Sequence, residues 1–400
     1  MKAVESRQGK APKFEQDLRK VVEDPNIDIV SIATPNHWHA LSAIWAIQNG
    51  KHVYVEKPVS HNVSEGRRIV EAARKHKKLV QAGTQIRSMS GIRQAIQFIH
   101  DGKLGKVKVA RGLCYKRRGS SGKVKCPQKP PKTMNYDLWC GPAPLKQPTR
   151  NTKNGTVHYD WHWIWDYGNG DLGNQGIHQM DVARWALGSN KLAKGVVSVG
   201  GRLGYTDDGE TPNTQICQFD YDDAQLIFEV RGLPTKKYRG AGVGNVIHCE
   251  NGYMVFPSYG SAIAYSSDGE LIKKFGGGGD HFGNFIKAVR SGKVSDLNGE
   301  IEEGHLSSAL CHLGNISYLL GKDTGFDTSA FNKSNEAAGE TFERMQKHLK
   351  DNGVDLSSTK YRLGQALKIN TKTESFVDSA KGDALLTRNY RKGFVVPEKI

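Results

Sequence analysis

From Phe14 to Ala82 the apolar positions switch repeatedly between helix and strand periods. Phe14 to Glu23 predicts a helix, with Phe14, Leu18, Val21 and Val22 on one stripe, stopped by Asp24-Pro25-Asn26. Ile27 to Thr34 is a short β-branched run suited to a parallel strand buried on both faces. Thr34-Pro35-Asn36 ends it, and Asn36 is placed to cap the next helix. That helix, His37 to Asn49, is apolar nearly all round, and Gly50 suits the position just past its end. His52 to Val55 reads as a buried strand that stops at Glu56-Lys57-Pro58. Asn62-Val63-Ser64-Glu65 then resembles a capping box, opening a helix to about Lys77, and Leu79 to Ala82 is a further strand. Helices and strands in strict alternation predict an α/β fold with a doubly wound parallel sheet. Right-handed crossovers bring Thr34, Lys57 and Gly83-Thr84-Gln85 to one edge, the carboxyl ends of the strands, where open α/β sheets bind ligands.

Beyond Gln85 the pattern changes. Gly91 to Asp101 predicts a helix ended by Gly102, and Val107 to Tyr115 alternates as a strand. A Gly/Pro-rich loop to Pro148 reads as a surface excursion. Asp171 to Leu187 predicts one helix with Asn174 and His178 on the same face. Val196–Val199, Thr214–Phe219, Leu226–Val230, Val246–Cys249 and Tyr253–Phe256 are strand-like and joined by turns, which makes an antiparallel sheet. Phe282 to Ser291 and Glu302 to Leu320 read as helices. The polar tail from Phe326, with one helical piece near Glu336 to Leu349, reads as an arm over the surface or onto another subunit.

Four hundred residues favour two domains. No apolar run is long enough to cross a membrane, and Met1 to Lys20 lacks the apolar core of a signal peptide. The chain as given is therefore expected in the cytoplasm. The net charge of +16 raises an acidic partner, but the lysines are spread out and no nucleic-acid motif accompanies the densest cluster, Tyr115 to Lys132. The cysteines are widely separated with no C-x-x-C pair, which suits reduced thiols and argues against zinc.

Taken alone, Glu56-Lys57 reads as a solvated ion pair at a strand end. Trp161-His162-Trp163 opens the most aromatic stretch, which serves a core or a sugar site equally well, with Asp160 and His162 leaning toward a site. A metal held by His158, His162, His178 and Asp181 is disfavoured, because the aromatic segment does not read as helical, so none is expected. No G-x-G-x-x-G turn precedes Phe14. Gly240 to Asn245 lies in hairpin surroundings, and Gly276 to Gly279 reads as a flexible loop before a helix at His281.

Several motifs in order resemble the Gfo/Idh/MocA oxidoreductase family: Ile32-Ala33-Thr34-Pro35-Asn36-His37, Gly50-Lys51-His52-Val53, Glu56-Lys57-Pro58, and Gly176-Ile177-His178-Gln179-Met180-Asp181. Tyr136 to Pro144 and the closing Leu385 to Arg391 look like stretches of its bacterial sugar-oxidoreductase branch. The resemblance implies a partial Rossmann domain for NAD or NADP over residues 1–86. It implies a substrate and oligomerisation domain with a large, mostly antiparallel open sheet over 87–325, and an associated arm over 326–400. It implies hydride transfer to or from a sugar or polyol, and a homodimer or homotetramer with no nucleic-acid or membrane partner. By position it assigns Lys57 and His178 to catalysis. It lines the cofactor with Thr34, Pro35, His37 and Glu56, and Asn36, Lys57 and Gln85 are expected to join them at the same strand edge. With the aromatic stretch read as a sugar site, Lys57, Trp161, His162, Trp163, Asn174 and His178 are the expected substrate residues. Many members carry an aspartate where Asn174 stands; asparagine can orient a histidine or bind a hydroxyl but brings no charge. On the shared motifs the chain starts after the family's first strand, glycine loop and second strand. That points to a truncated N-terminus, which would leave an exported precursor open. Alternative functions are an NAD-dependent glycoside hydrolase or lyase of the same family, or a non-catalytic sugar-binding protein lacking its nucleotide half.

Overall fold

The computed structural model describes residues 2–149, 157–326 and 336–400. The first unit carries α1 (Lys2–Gln8), α2 (Leu18–Glu23), β1 (Ile29–Ile32), α3 (Asn36–Gln48), β2 (His52–Val55), α4 (Val63–Lys75) and β3 (Val80–Ala82). The three strands lie side by side in the order β1-β2-β3, all parallel, as the alternating pattern predicts. The α4 capping box is present: Asn62 Oδ1 accepts from the Glu65 amide at 2.9 Å, and the Glu65 carboxylate accepts from the His61 amide at 2.8 Å.

Three local expectations fail. The helix before β1 starts only at Leu18, capped by Asp17, so Phe14 precedes it and is 70% exposed. Strand β1 is not buried on both faces, since only Ile32 is fully covered at this edge of the sheet. Asn36 does not cap α3; Pro35 takes that position, and the Asn36 amide instead donates across to Asn169 Oδ1 at 3.0 Å.

The second unit begins with α5 (Ser90–His100), β4 (Val107–Cys114), α6 (Tyr136–Cys140), α7 (Gly170–Gly173) and α8 (Gly176–Ala186). Strands β5 (Gly195–Gly201), β6 (Thr214–Asp220), β7 (Gln225–Arg231), β8 (Val243–Cys249), β9 (Gly252–Ser258), β10 (Ser261–Ser266) and β11 (Leu271–Gly276) follow. Then come α9 (His281–Ser291), α10 (Ile301–Leu319), β12 (Lys322–Gly325), α11 (Glu336–Asp351), β13 (Lys360–Leu363), β14 (Leu367–Asn370), β15 (Ser375–Val377) and α12 (Ala380–Asp383). Twelve strands form one sheet along the path β11-β10-β9-β8-β4-β7-β6-β5-β13-β12, with β14 and β15 attached through β5. Its pairings are antiparallel except β4 with β7. One face packs on α5, α8 and α10; on the other, Phe342 and Met345 of α11 cover Ile216 and Ile227.

The hydrophobic pattern misses β10 to β15. Strand β11 is almost wholly exposed, so its residues carry no buried alternation. The tail strands are three or four residues long. The tail is more than an arm over the surface. Phe394 and Val396 are buried in the first unit's core, with Phe394 set edge-on to Trp38. Tyr390 donates to Glu65 at 3.0 Å. The expected helix from Asp171 to Leu187 is two helices, broken at Asn174-Gln175. Gly176 is needed after the break, because a Cβ there would meet the Phe228 ring and the Asp171 carbonyl at 2.9 Å. Among the described residues no helix is long and apolar enough to cross a membrane.

A buried ionic network joins the two units. Arg87, just after β3, donates to both Asp181 oxygens of α8 at 2.7 and 2.8 Å. Ser307 of α10 donates to Asp181 at 2.6 Å, and Glu303 of α10 pairs with Arg87 and Arg184. Burial alone would raise the Asp181 carboxyl; the Arg87 guanidinium outweighs it and holds the group below its ordinary value. Removing one partner strands the other charges in a dry site. Asp181→Ala is therefore expected to cost about 3–5 kcal/mol in urea unfolding; a loss below about 1 kcal/mol would contradict the network's role.

The fold also buries histidines. Burial holds His37, His178 and His312 down to about 3. Their ordinary value is about 6.5, so the unfolded chain takes up protons that the native chain refuses as pH falls from 6.5 toward 3. Their stabilisation is complete above pH 6.5 and lost through that window. Each group contributes about 1.4 kcal/mol per pH unit, so these three alone should make stability fall by about 4 kcal/mol per unit near pH 5, and the other buried histidines can only steepen it. Denaturant titrations between pH 7 and 5 test this, and a flat profile would refute it.

Candidate active site

The carboxyl ends of β1, β2 and β3 converge on one edge. There Gln85 donates to the Tyr54 hydroxyl at 2.9 Å and to Glu56 Oε1 at 3.2 Å. Gly83 passes against Glu56 so closely that a Cβ would lie 2.6 Å from Oε2 and 3.0 Å from its Cα. Glycine is thus what lets the strand ends close around the carboxylate.

Lys57 leaves this edge and reaches the second unit. Its Nζ donates to the main-chain carbonyl of Asn174 at 2.9 Å, an oxygen placed by the break between α7 and α8. Burial lowers the Lys57 pKa, Glu56 and Asp171 oppose that, and Lys116 and Arg118 add to it. Lys116 and Arg118 come from the segment after β4. Lys116 Nζ donates to Gln175 Oε1 at 2.9 Å, and Arg118 forms a two-bond fork with Asp171 at 2.7 and 2.8 Å. Gln175 is fixed in turn by the Tyr259 hydroxyl at 2.6 Å.

His178 stands on the first turn of α8 with its ring 5.1 Å from that of Tyr259. Burial is the first cause of its depressed pKa, and the Lys57 charge the next. At neutral pH the imidazole is therefore neutral. Its Nδ1 is buried with no partner among the described residues. Asp181 does not orient this ring; both its oxygens belong to the ionic network.

The remaining expected residues divide. Thr34 Oγ1 is buried at the strand edge without a partner among the described residues, and Pro35 lies beside it. Asn36 and His37 are drawn into packing. Asn36 holds Asn169, and the His37 nitrogens face the carbonyls of Trp139 at 2.9 Å and Tyr167 at 3.4 Å. Asn174 contributes its main-chain carbonyl, which accepts from Lys57. The aromatic stretch opens on a 3₁₀ turn, Asp160–Trp163. His162 lies close enough to Lys57 and Arg118 that, after burial, their charges help hold it near 3. Trp161 stacks on His162, and Trp163 is buried under the Arg118 guanidinium.

Lys116, Arg118, Asp171, Gln175 and Tyr259 were not singled out from the sequence. A signal for two of them exists. Cys114, Lys116 and Arg118 continue the strand's period of two, while Tyr115 turns to the opposite face and bonds Glu229 at 2.7 Å. The basic loop therefore begins inside the site, not on the surface.

The strand edge suits the nicotinamide end of a dinucleotide. The unpartnered Thr34 hydroxyl, the Glu56 carboxylate and the Gln85 amide offer both donors and acceptors to a carboxamide.

Residues 2–84 match the family described as an oxidoreductase family with an NAD-binding Rossmann fold, and residues 90–350 match its C-terminal alpha/beta domain. Levoglucosan dehydrogenase of Pseudarthrobacter phenanthrenivorans is 26% identical over 262 residues, covering 61% of this chain and 56% of that protein. The chain thus spans little more than half the length of that relative. A levoglucosan dehydrogenase solved with NADH and levoglucosan superposes with a TM-score of 0.57 at 19% identity, over 78% of this chain and 82% of that one. The WlbA dehydrogenase of Bordetella pertussis, solved with NADH and UDP-GlcNAcA, gives 0.54 at 19% identity, over 77% and 81%. These structures share the fold. With both of its units matched in order, the chain belongs to the Gfo/Idh/MocA oxidoreductase family.

Proposed function

We propose that this protein transfers a hydride between a carbinol carbon of a sugar or polyol and NAD or NADP. The observation that carries the reading is that Lys57, at the strand end of one unit, bonds the Asn174 carbonyl of the other, close enough for its charge to act on the His178 ring. The sugar dehydrogenase among its relatives supports the substrate class.

Thr34, Pro35, Glu56 and Gln85 would hold the nicotinamide end, and the bound dinucleotide supplies the hydride acceptor. Lys57 has three N–H donors and spends one on Asn174, so two remain for the reacting oxygen. Its ammonium stabilises the negative charge that develops there as the proton leaves. His178, neutral at pH 7, is the imidazole whose ring feels the Lys57 charge and is assigned the uptake of that proton. Arg118 and Asp171 neutralise each other beside them, and His162 with Trp161 offers a flat face to a sugar's C–H surface.

Lys57→Met and His178→Gln should each lower kcat/KM by about 10²–10⁴ while leaving the thermal midpoint within a few degrees. Reduced dinucleotide should accumulate one for one with oxidised sugar. Near-wild-type turnover in Lys57→Met would sink the assignment. Product formed without net reduced dinucleotide would indicate transient oxidation followed by elimination instead.

A further inference from the structure

Lys116 carries a charge that no carboxylate among the described residues takes up. Its bond is to the neutral Gln175 amide, whose own N–H is committed to Tyr259. Lys57, over the same helix break, is likewise bonded to a neutral oxygen. Arg118 is matched by Asp171 through two hydrogen bonds, and Glu56 stands beside Lys57. Among the described residues, these three cations face two carboxylates bonded to or beside them, which leaves the Lys116 charge without a carboxylate partner in a half-buried site. Each ammonium has three donors and uses one, so four N–H groups are left. Both ammonium groups lie close enough to act on the His178 ring.

We infer that the substrate is a sugar monocarboxylate, such as a uronic acid, whose carboxylate binds Lys116 while its carbinol lies at Lys57 and His178. This rests on the hydride-transfer reading of the same site. One uncompensated ammonium matches one carboxylate. A phosphate ester, with nearly two charges, would leave excess negative charge in a site with poor access to water. The neutral partner of Lys116 matters here. A carboxylate in place of Gln175 would hold the ammonium and repel the ligand, whereas an amide steers the lysine without cancelling its charge.

The test is calorimetric binding of D-glucuronate, D-galacturonate and D-mannuronate to the full chain, with and without NADH, against the parent hexoses and their 6-phosphates. At least one uronate should bind about tenfold or more tightly than its hexose, with the advantage shrinking in high salt. In Lys116→Met, and independently in Lys116→Gln, that advantage should fall below about threefold, while Lys116→Arg keeps part of it. Lys123→Met, which removes an exposed charge from the same loop, should preserve it. Hexoses binding as tightly as uronates, or 6-phosphates binding more tightly, would overturn the monocarboxylate assignment and leave hydride transfer standing. A uronate preference that survives loss of Lys116 would overturn the residue's role. Binding of no sugar of any kind would overturn the reading of the site itself, and this inference with it.

Discussion

One hydrogen bond between the two units organises the site: Lys57 Nζ to the Asn174 carbonyl. The lysine belongs to the end of a parallel strand, and the carbonyl belongs to a break between two helices of the other unit. A continuous helix would spend that oxygen on its own ladder. The break frees it, and the missing side chains of Gly173 and Gly176 on either side let the chain pass close to Asn169 and to Phe228 respectively. The ammonium is thereby steered by a neutral group, which keeps its charge available for chemistry.

That arrangement depends on α8 being held rigidly. The Arg87–Asp181–Arg184–Glu303 network fastens α8 to the end of β3 and to α10. Its members are charged because they must face each other across packed elements, where a lone charge would be prohibitively costly. A site built on such supported elements positions its groups more closely than one built on loops. The tail adds a second fastening, since Phe394 and Tyr390 pack on α3 and the start of α4.

Much of this was legible in the sequence. Buried parallel strands and amphipathic or wholly apolar helices leave strong periodic signals, so β2, β3, α3 and α4 were readable to within a few residues. The ordering of strands then placed Thr34, Lys57 and Gln85 at one edge, and the motif around His178 matched the family. Exposed β11 and the short tail strands left no such signal. The helix break at Asn174 was hidden because a helical spacing and a broken helix look alike over seven residues. Lys116 and Arg118 were obscured by their neighbours. A basic, glycine- and proline-rich segment reads as surface, and only its continuation of the β4 alternation reveals that two of its charges turn inward.

The central claim is that Lys57 and His178 flank the nicotinamide at the carboxyl ends of the parallel strands. A crystal structure of the full chain with NADH bound tests it directly. The nicotinamide ring is expected against Thr34 and Glu56, its reactive face turned toward Lys57 Nζ and His178 Nε2, with Lys57 still bonded to the Asn174 carbonyl. A ring bound elsewhere, or one shut off from both side chains, would contradict it.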